Sequence, residues 1–355
     1  MRVGIALIEG YSFSRDPEEL GFRGLAASAR RIEELGFDGI LSSETAGHDP
    51  FFPLLIAAEH TSHVGLATGI AVSFPRSPMV TAQMAWDLQR LSGGRFSLGL
   101  GTQVKGHNER RYATPWTSAP GPRMREYVQC LQAMFESFQN PGKPRWFEGA
   151  HYRFSMLPPV FAPEPIAHPK IPIHLAAVNP YMARLAGELA DGVFAHPVIT
   201  ARYLREVMLP AVEKGTHRAG RDMSEIDIIG APVVVTGRDE AELDEERKLL
   251  KRRVAFYAST RTYRRVFEVH GWQELGDRLH ALSVEGRWED MTRLIPDEMA
   301  EEFATIGRLE EIGDRLRERW GGLLTTLNLP TDYPLRTPEE ARLARNAVET
   351  LQRAG

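Results

Sequence analysis

Eight short apolar runs, separated by segments of helical periodicity, recur along the chain from its third residue onward. They cover residues 3–8, 39–43, 64–72, 95–101, 171–178, 192–196, 226–235 and 323–329. Runs this apolar do not alternate polar and apolar faces, so they suit a parallel sheet covered by helices. Eight strand–helix units predict an α/β fold, a (β/α)8 TIM barrel forming one domain over residues 1–355.

Asp16-Pro17 with Glu18 and Glu19, Ser77-Pro78 and Asn179-Pro180 each place a capping side chain before a proline at the first helical position. After Ser77, the residues Val80, Met84, Leu88 and Leu91 share one face, the stripe expected to lie on the sheet. Two regions break the alternation. Residues 141–172 hold eight prolines, and their centre, from Trp146 to Phe154 around Gly149-Ala150, predicts a small hairpin reaching over the barrel mouth. Residues 259–307 supply extra helices between strands seven and eight. Pro232 removes a ladder donor from strand seven and predicts a bulge there.

With 43 basic and 47 acidic side chains, the net charge of −4 leaves no global field to attract nucleic acid or an anionic membrane. No stretch approaches the ~20 apolar residues of a membrane span, so a cytoplasmic protein acting on a small molecule is expected. Cys130, the only cysteine, excludes an internal disulfide and a cysteine-based metal cluster, and it reads as a packed thiol; no metal site is assigned.

Reacting groups in such barrels stand just after the strands. Gly99 and Gly101 strip one face of strand four, either to admit a planar ring or to pack the barrel layer tightly. At Asn179-Pro180 a helix starts directly after strand five, and its free amides suit an anion if they are not simply capped. His48 brings an imidazole, a side chain suited to general acid–base work near neutrality, or else braces its loop. His196 ends strand six and can face a substrate, while His174 reads as core. Ser259, Thr260 and Tyr263 can line a lid, and the hairpin aromatics Trp146, Phe147, Tyr152 and Phe154 cover a substrate or pack the excursion.

Leu35-Gly36-Phe37-Asp38-Gly39, Ser43-Glu44, Thr68-Gly69-Ile70, Ser77-Pro78, the turn from Leu91 to Arg95 and Gly99-Leu100-Gly101 follow an order and spacing that resembles the bacterial luciferase-like monooxygenase superfamily. The resemblance continues through Asn179-Pro180, Ala190-Asp191-Gly192 and Gly321-Gly322-Leu323, and within the superfamily the chain looks most like the actinobacterial oxidoreductases that use the deazaflavin coenzyme F420. It implies a luciferase-like TIM barrel, a homodimer, and hydride transfer between coenzyme F420 and an alcohol, aldehyde or conjugated carbonyl compound. It also implies a non-prolyl cis peptide at Gly69-Ile70 behind the ring, with Gly101, Thr102, Gln103 and Asn108 around the cofactor and its phosphate at Ala176, Ala177, Val178 and Asn179.

Related deazaflavin enzymes carry an Asp-His pair after strand two; here Glu44 and Thr45 stand there, which makes Glu44 and His48 the catalytic candidates. Gln103 occupies the place of an acid in sugar-phosphate-oxidising relatives, which argues against transferring their substrate. Lys105, Arg110 and Arg111 are either solvated charges or partners for the oligoglutamate tail of the deazaflavin. Two other readings stay open: an FMN-dependent monooxygenase, and a non-catalytic flavin-binding protein.

Overall fold

The computed structural model describes residues 1–7, 22–44, 48–330, 333–335 and 337–353. Its strands are β1 (Arg2–Leu7), β2 (Gly39–Ser42), β3 (Gly65–Thr68), β4 (Ala71–Val72), β5 (Phe96–Gly101), β6 (Phe147–Glu148) and β7 (Arg153–Phe154). They continue as β8 (Ile173–Ala177), β9 (Gly192–Ala195), β10 (Asp227–Gly230), β11 (Val233–Gly237), β12 (Ala304–Arg308) and β13 (Thr326–Leu329). In the barrel β1 pairs with β2 and β13, the ring continues through β10, β9, β8 and β5, and β5 pairs with β3. All these pairings are parallel, and with β3 and β4 counted as one interrupted strand the ring closes with eight. Closure leaves no unpaired sheet edge.

The main core lies between strands and helices, where Val3, Ile5, Leu66, Leu98, Leu175, Val193 and Leu327 are buried. Inside the barrel a thinner apolar layer of Leu41, Phe194 and Ile229 is flanked by Ala6, Ala67, Ile70, Ala176 and Ala231. Alanines at these places leave the interior shallow and set a floor beneath the C-terminal ends of the strands.

Several details differ from the sequence expectations. The helix Pro78–Leu91 buries Thr81, Ala82, Ala85, Trp86, Leu88 and Gln89, whereas Val80 and Leu91 are exposed. The polar Gln89 sits inside because its amide is paired: Nε2 donates to the Lys170 carbonyl and Oε1 accepts from the Phe96 amide. Strand seven does not bulge at Pro232 but divides there. Its first part, β10, stays in the barrel, and β11 pairs in parallel with β12 as a separate two-stranded sheet. Proline cannot supply a ladder hydrogen bond, and the chain changes partners across it. The insertion between strands seven and eight therefore opens on β11, with the helix Glu240–Ser259, and closes on β12.

The hairpin of β6 and β7 follows the helix Pro120–Gln139 and docks on its first turns, where the Glu126 carboxylate accepts from the amides of Ala150 and His151. Tyr152 packs edge-on against Tyr127 at 5.3 Å and Phe154 is buried, so these two fix the excursion to the body, while the exposed Trp146 packs on Phe154 at 5.2 Å within the hairpin. Cys130 is buried in the same helix, and burial pushes its thiol up to about 11. No helix among the described residues is long and apolar enough to cross a membrane.

Candidate active site

The peptide bond between Gly69 and Ile70 is cis and interrupts the strand between β3 and β4. Glu44, at the end of β2, grips this bulge twice. Its backbone N–H donates to the Ile70 carbonyl at 3.2 Å, and its carboxylate accepts from the Val72 amide at 2.6 Å. The same carboxylate oxygen takes Arg76 Nη1 at 2.6 Å, and Arg76 Nη2 reaches Asp49 at 2.7 Å. Burial opposes the Arg76 charge, but Asp49 and Glu44 outweigh it and hold the guanidinium above its ordinary value. Tyr112 closes this corner: burial first, then the Glu44 charge, raises its phenol. His48 is exposed on the loop that carries Asp49, and Thr45 lies outside the described residues.

On the next strand, the space a side chain would need at Gly101 is filled by Ile70, whose Cδ1 would lie 2.7 Å from an added Cβ. Gly99 admits the Thr68 carbonyl even more closely, at 1.9 Å. The glycines of β5 thus seat the neighbouring bulge, and Ile70 itself remains partly exposed on the floor. Beyond Thr102, Gln103 adopts a left-handed φ of 54° and its Oε1 accepts from the Val104 amide. Asn108 is fully buried, and its Nδ2 ties the Thr102 and Val104 carbonyls at 2.9 and 3.2 Å. It braces this turn from behind. Lys105, Arg110 and Arg111 are exposed on or beside the short helix Lys105–Arg110.

Across the mouth, Asn179 stands at the N-cap of the helix Pro180–Leu189 but its side chain makes no capping hydrogen bond. Ser77, by contrast, caps its helix through Val80 as expected. The first amides after Pro180 are therefore left for an outside acceptor, beside the partly exposed Ala176, Val178 and Asn179 and the buried Ala177.

The third side is built by His196, after β9, and the insertion. His196 Nδ1 accepts from the Val198 amide at 3.1 Å and Nε2 lies 3.3 Å from the Tyr263 hydroxyl. Tyr257 packs edge-on against both rings. Burial, with Arg253 nearby, depresses His196 to about 4 and burial lifts Tyr263 to about 12, so both are uncharged near neutrality. Ser259 and Thr260 turn their hydroxyls to the Phe256 carbonyl.

Residues 1–326 match the sequence family described as luciferase-like monooxygenase. The chain belongs to the luciferase-like monooxygenase family. It is 46% identical over 279 residues to an uncharacterized protein of Mycobacterium tuberculosis, covering 79% of this chain and 82% of the relative. It is 32% identical over 192 residues, 51% of this chain and 54% of the other, to the F420-dependent glucose-6-phosphate dehydrogenase of Intrasporangium calvum. Among solved structures, the coenzyme F420 dependent tetrahydromethanopterin reductase of Methanopyrus kandleri superposes with a TM-score of 0.77 at 22% identity, over 99% of this chain and 98% of that one.

The family's relatives include F420-dependent oxidoreductases, which supports an oxidoreductase here. In this luciferase-like barrel the bulge, the turn after β5, the uncapped helix start and the His196 side all gather at the C-terminal ends of the strands. Arg76, Tyr112 and Tyr257 had no local sequence signal, because Glu44, which faces the first two, and His196, which Tyr257 packs on, lie far along the chain; Arg76 and Glu44 are 32 positions apart. A separate cavity of about 220 Å³ lies at the opposite end of the barrel, lined by Arg2, His174, Asp227, Thr326 and Asn328. His174 is buried there, as the sequence suggested, and burial lowers its proton affinity.

Proposed function

We propose that this protein is an oxidoreductase that moves hydride between coenzyme F420 and a small organic substrate, an alcohol, aldehyde or conjugated carbonyl compound, at the barrel mouth. The observation that carries this reading is the pairing of the clamped Gly69–Ile70 bulge with the uncapped helix start at Asn179, across a floor of alanines. Ile70 and Ala176 present apolar, partly exposed surface that suits one face of a planar ring. The helix start offers unpaired amides to a phosphate, and the side chains of Ala176 and Ala177 are too small to block them.

The deazaflavin supplies two-electron hydride exchange and, unlike FMN, does not activate dioxygen. Residues of the chain bind and orient it. Glu44 and Arg76 hold the bulge, Gly101 keeps room for Ile70, and Asn108 fixes the turn carrying Thr102 and Gln103. Lys105, Arg110 and Arg111, exposed next to that turn, suit the carboxylates of an oligoglutamate tail that FMN lacks. Catalytic work by Glu44 is harder to support, since its carboxylate is buried and bonded to a backbone amide and to Arg76. His48 remains the candidate with an exposed ring.

Parallel titration of the protein with coenzyme F420 and with FMN, followed by fluorescence and calorimetry, tests the reading. Saturable F420 binding with weaker FMN binding is expected. Tight FMN binding without F420 binding would overturn it in favour of an FMN-dependent monooxygenase, and F420 binding without turnover of any alcohol, aldehyde or enone would leave a carrier protein.

A further inference from the structure

We propose that the Tyr263 hydroxyl, aimed by His196, is the hydrogen-bond donor that holds the carbonyl oxygen of an aldehyde or ketone substrate at the barrel mouth. This deepens the oxidoreductase reading and rests on it for the identity of the site.

His196 directly follows β9, and its backbone N–H donates to the Ala177 carbonyl at 3.3 Å, so the ring stands at the rim beside the phosphate-facing strand end. Its Nδ1 lies 3.1 Å from the Val198 amide nitrogen. Two N–H groups cannot face one another, so Nδ1 is the acceptor and carries no proton. A neutral imidazole then bears its proton on Nε2, which donates to the Tyr263 oxygen at 3.3 Å. The Tyr263 oxygen thereby accepts from His196 and still owns a proton. No acceptor for that proton occurs among the described residues, since His196 is its one hydrogen-bond partner there.

The direction of this spare O–H is restrained. Tyr257 meets His196 at 5.4 Å and Tyr263 at 5.1 Å, both edge-on, and the His196 and Tyr263 rings lie 4.9 Å apart. Tyr263 and His196 are both partly exposed, as is Ala231 of the floor, which follows the neighbouring strand β10. A donor fixed in this way matches an oxygen that has lone pairs and no proton of its own. A carbonyl oxygen meets that condition, and the aromatic rings beside it offer an apolar wall to the carbon skeleton. Tyr263 is in this reading a substrate-binding residue and His196 its positioning residue. The insertion between strands seven and eight thus delivers a specificity group that the barrel strands lack.

The test uses benzaldehyde labelled with carbon-13 at its carbonyl, added to the full protein with and without bound F420. Wild type is expected to bind it saturably and to shift the carbonyl resonance downfield, as hydrogen bonding to the oxygen does. Tyr263→Phe should abolish the shift and weaken binding roughly tenfold, the size of one lost hydrogen bond. His196→Leu should behave like Tyr263→Phe, whereas His196→Gln, which keeps an N–H near the Nε2 position, should recover most of the shift; a merely structural histidine would not separate the two variants. Circular dichroism and thermal melting confirm that each variant is folded. Wild-type affinity and shift in Tyr263→Phe, or no shift in folded wild type, would overturn the proposal. Failure of F420 to bind while the benzaldehyde shift persists would count against the cofactor reading and leave the tyrosine assignment standing.

Discussion

The Glu44 carboxylate accepts a 2.6 Å hydrogen bond from the amide of Val72, just past the cis peptide, while the Glu44 amide donates to Ile70. One acidic residue thus ties together both sides of the bulge, and Arg76 neutralises it from a position only 15% exposed. Glu44 behaves as a strut. Replacing it by Ala leaves a partly buried Arg76 with Asp49 as its one remaining carboxylate among the described residues and should cost about 3 kcal/mol in denaturant unfolding. In Glu44→Gln the melting temperature should fall while the pH–rate profile keeps its shape; loss of one limb of that profile would restore a proton-transfer role to Glu44.

Gly99 and Gly101 should differ in their response to alanine. A methyl at Gly99 would sit 1.9 Å from the Thr68 carbonyl, backbone that cannot move without breaking the barrel ladder, so Gly99→Ala should fail to accumulate as folded protein. A methyl at Gly101 meets the Ile70 side chain at 2.7 Å, which can rotate. Gly101→Ala should fold with a penalty of about 1–3 kcal/mol and weakened cofactor binding, read by fluorescence titration.

Stability should fall in mild acid. His196 is held neutral by burial, its value dropping from 6.5 to about 4, so the unfolded chain takes up a proton that the folded chain refuses between those pH values. The contribution is complete above pH 6.5 and is lost as pH falls toward 4, by about 3 kcal/mol at most. His174 and His270, both lowered first by burial, act in the same direction. Urea midpoints at pH 7.5 and pH 5 should separate in wild type and draw closer in His196→Gln.

Asn108 is expected to support the turn after β5 without touching solvent. Asn108→Ala frees the Thr102 and Val104 carbonyls and should cost about 2 kcal/mol. Asn108→Asp should cost more, because it sets a buried carboxylate against the same two carbonyl oxygens, and the two urea midpoints give the order directly.

Much of the barrel was legible from the chain because local rules wrote it. Apolar runs specified each barrel strand, Gly36 and Gly93-Gly94 took the positive φ values that end two helices, and Ser77 capped as its Ser-Pro pattern implied. The family likeness, carried by ordered short motifs, pointed to the cis bond at Gly69-Ile70, and the Asn-Pro pattern to the helix start at Asn179. Where the outcome depended on what lay across space, the chain was silent. Nothing near Pro232 announces that β11 will pair with β12 some 70 positions onward, and nothing near Val80 says that Trp86 and Gln89 will take the buried face.

The candidate site divides along the same line. Sequence alone determined which residues stand at strand ends, because strand periodicity and chain order decide that. Whether Glu44 is a free acid or a strut, whether the glycines of β5 admit a ligand or Ile70, and which residue His196 points at were decided only by tertiary structure. The physical reason is that hydrogen bonds and burial set the state of a polar side chain, and partners such as Glu44 with Arg76, or His196 with Tyr263, meet only after the barrel has closed.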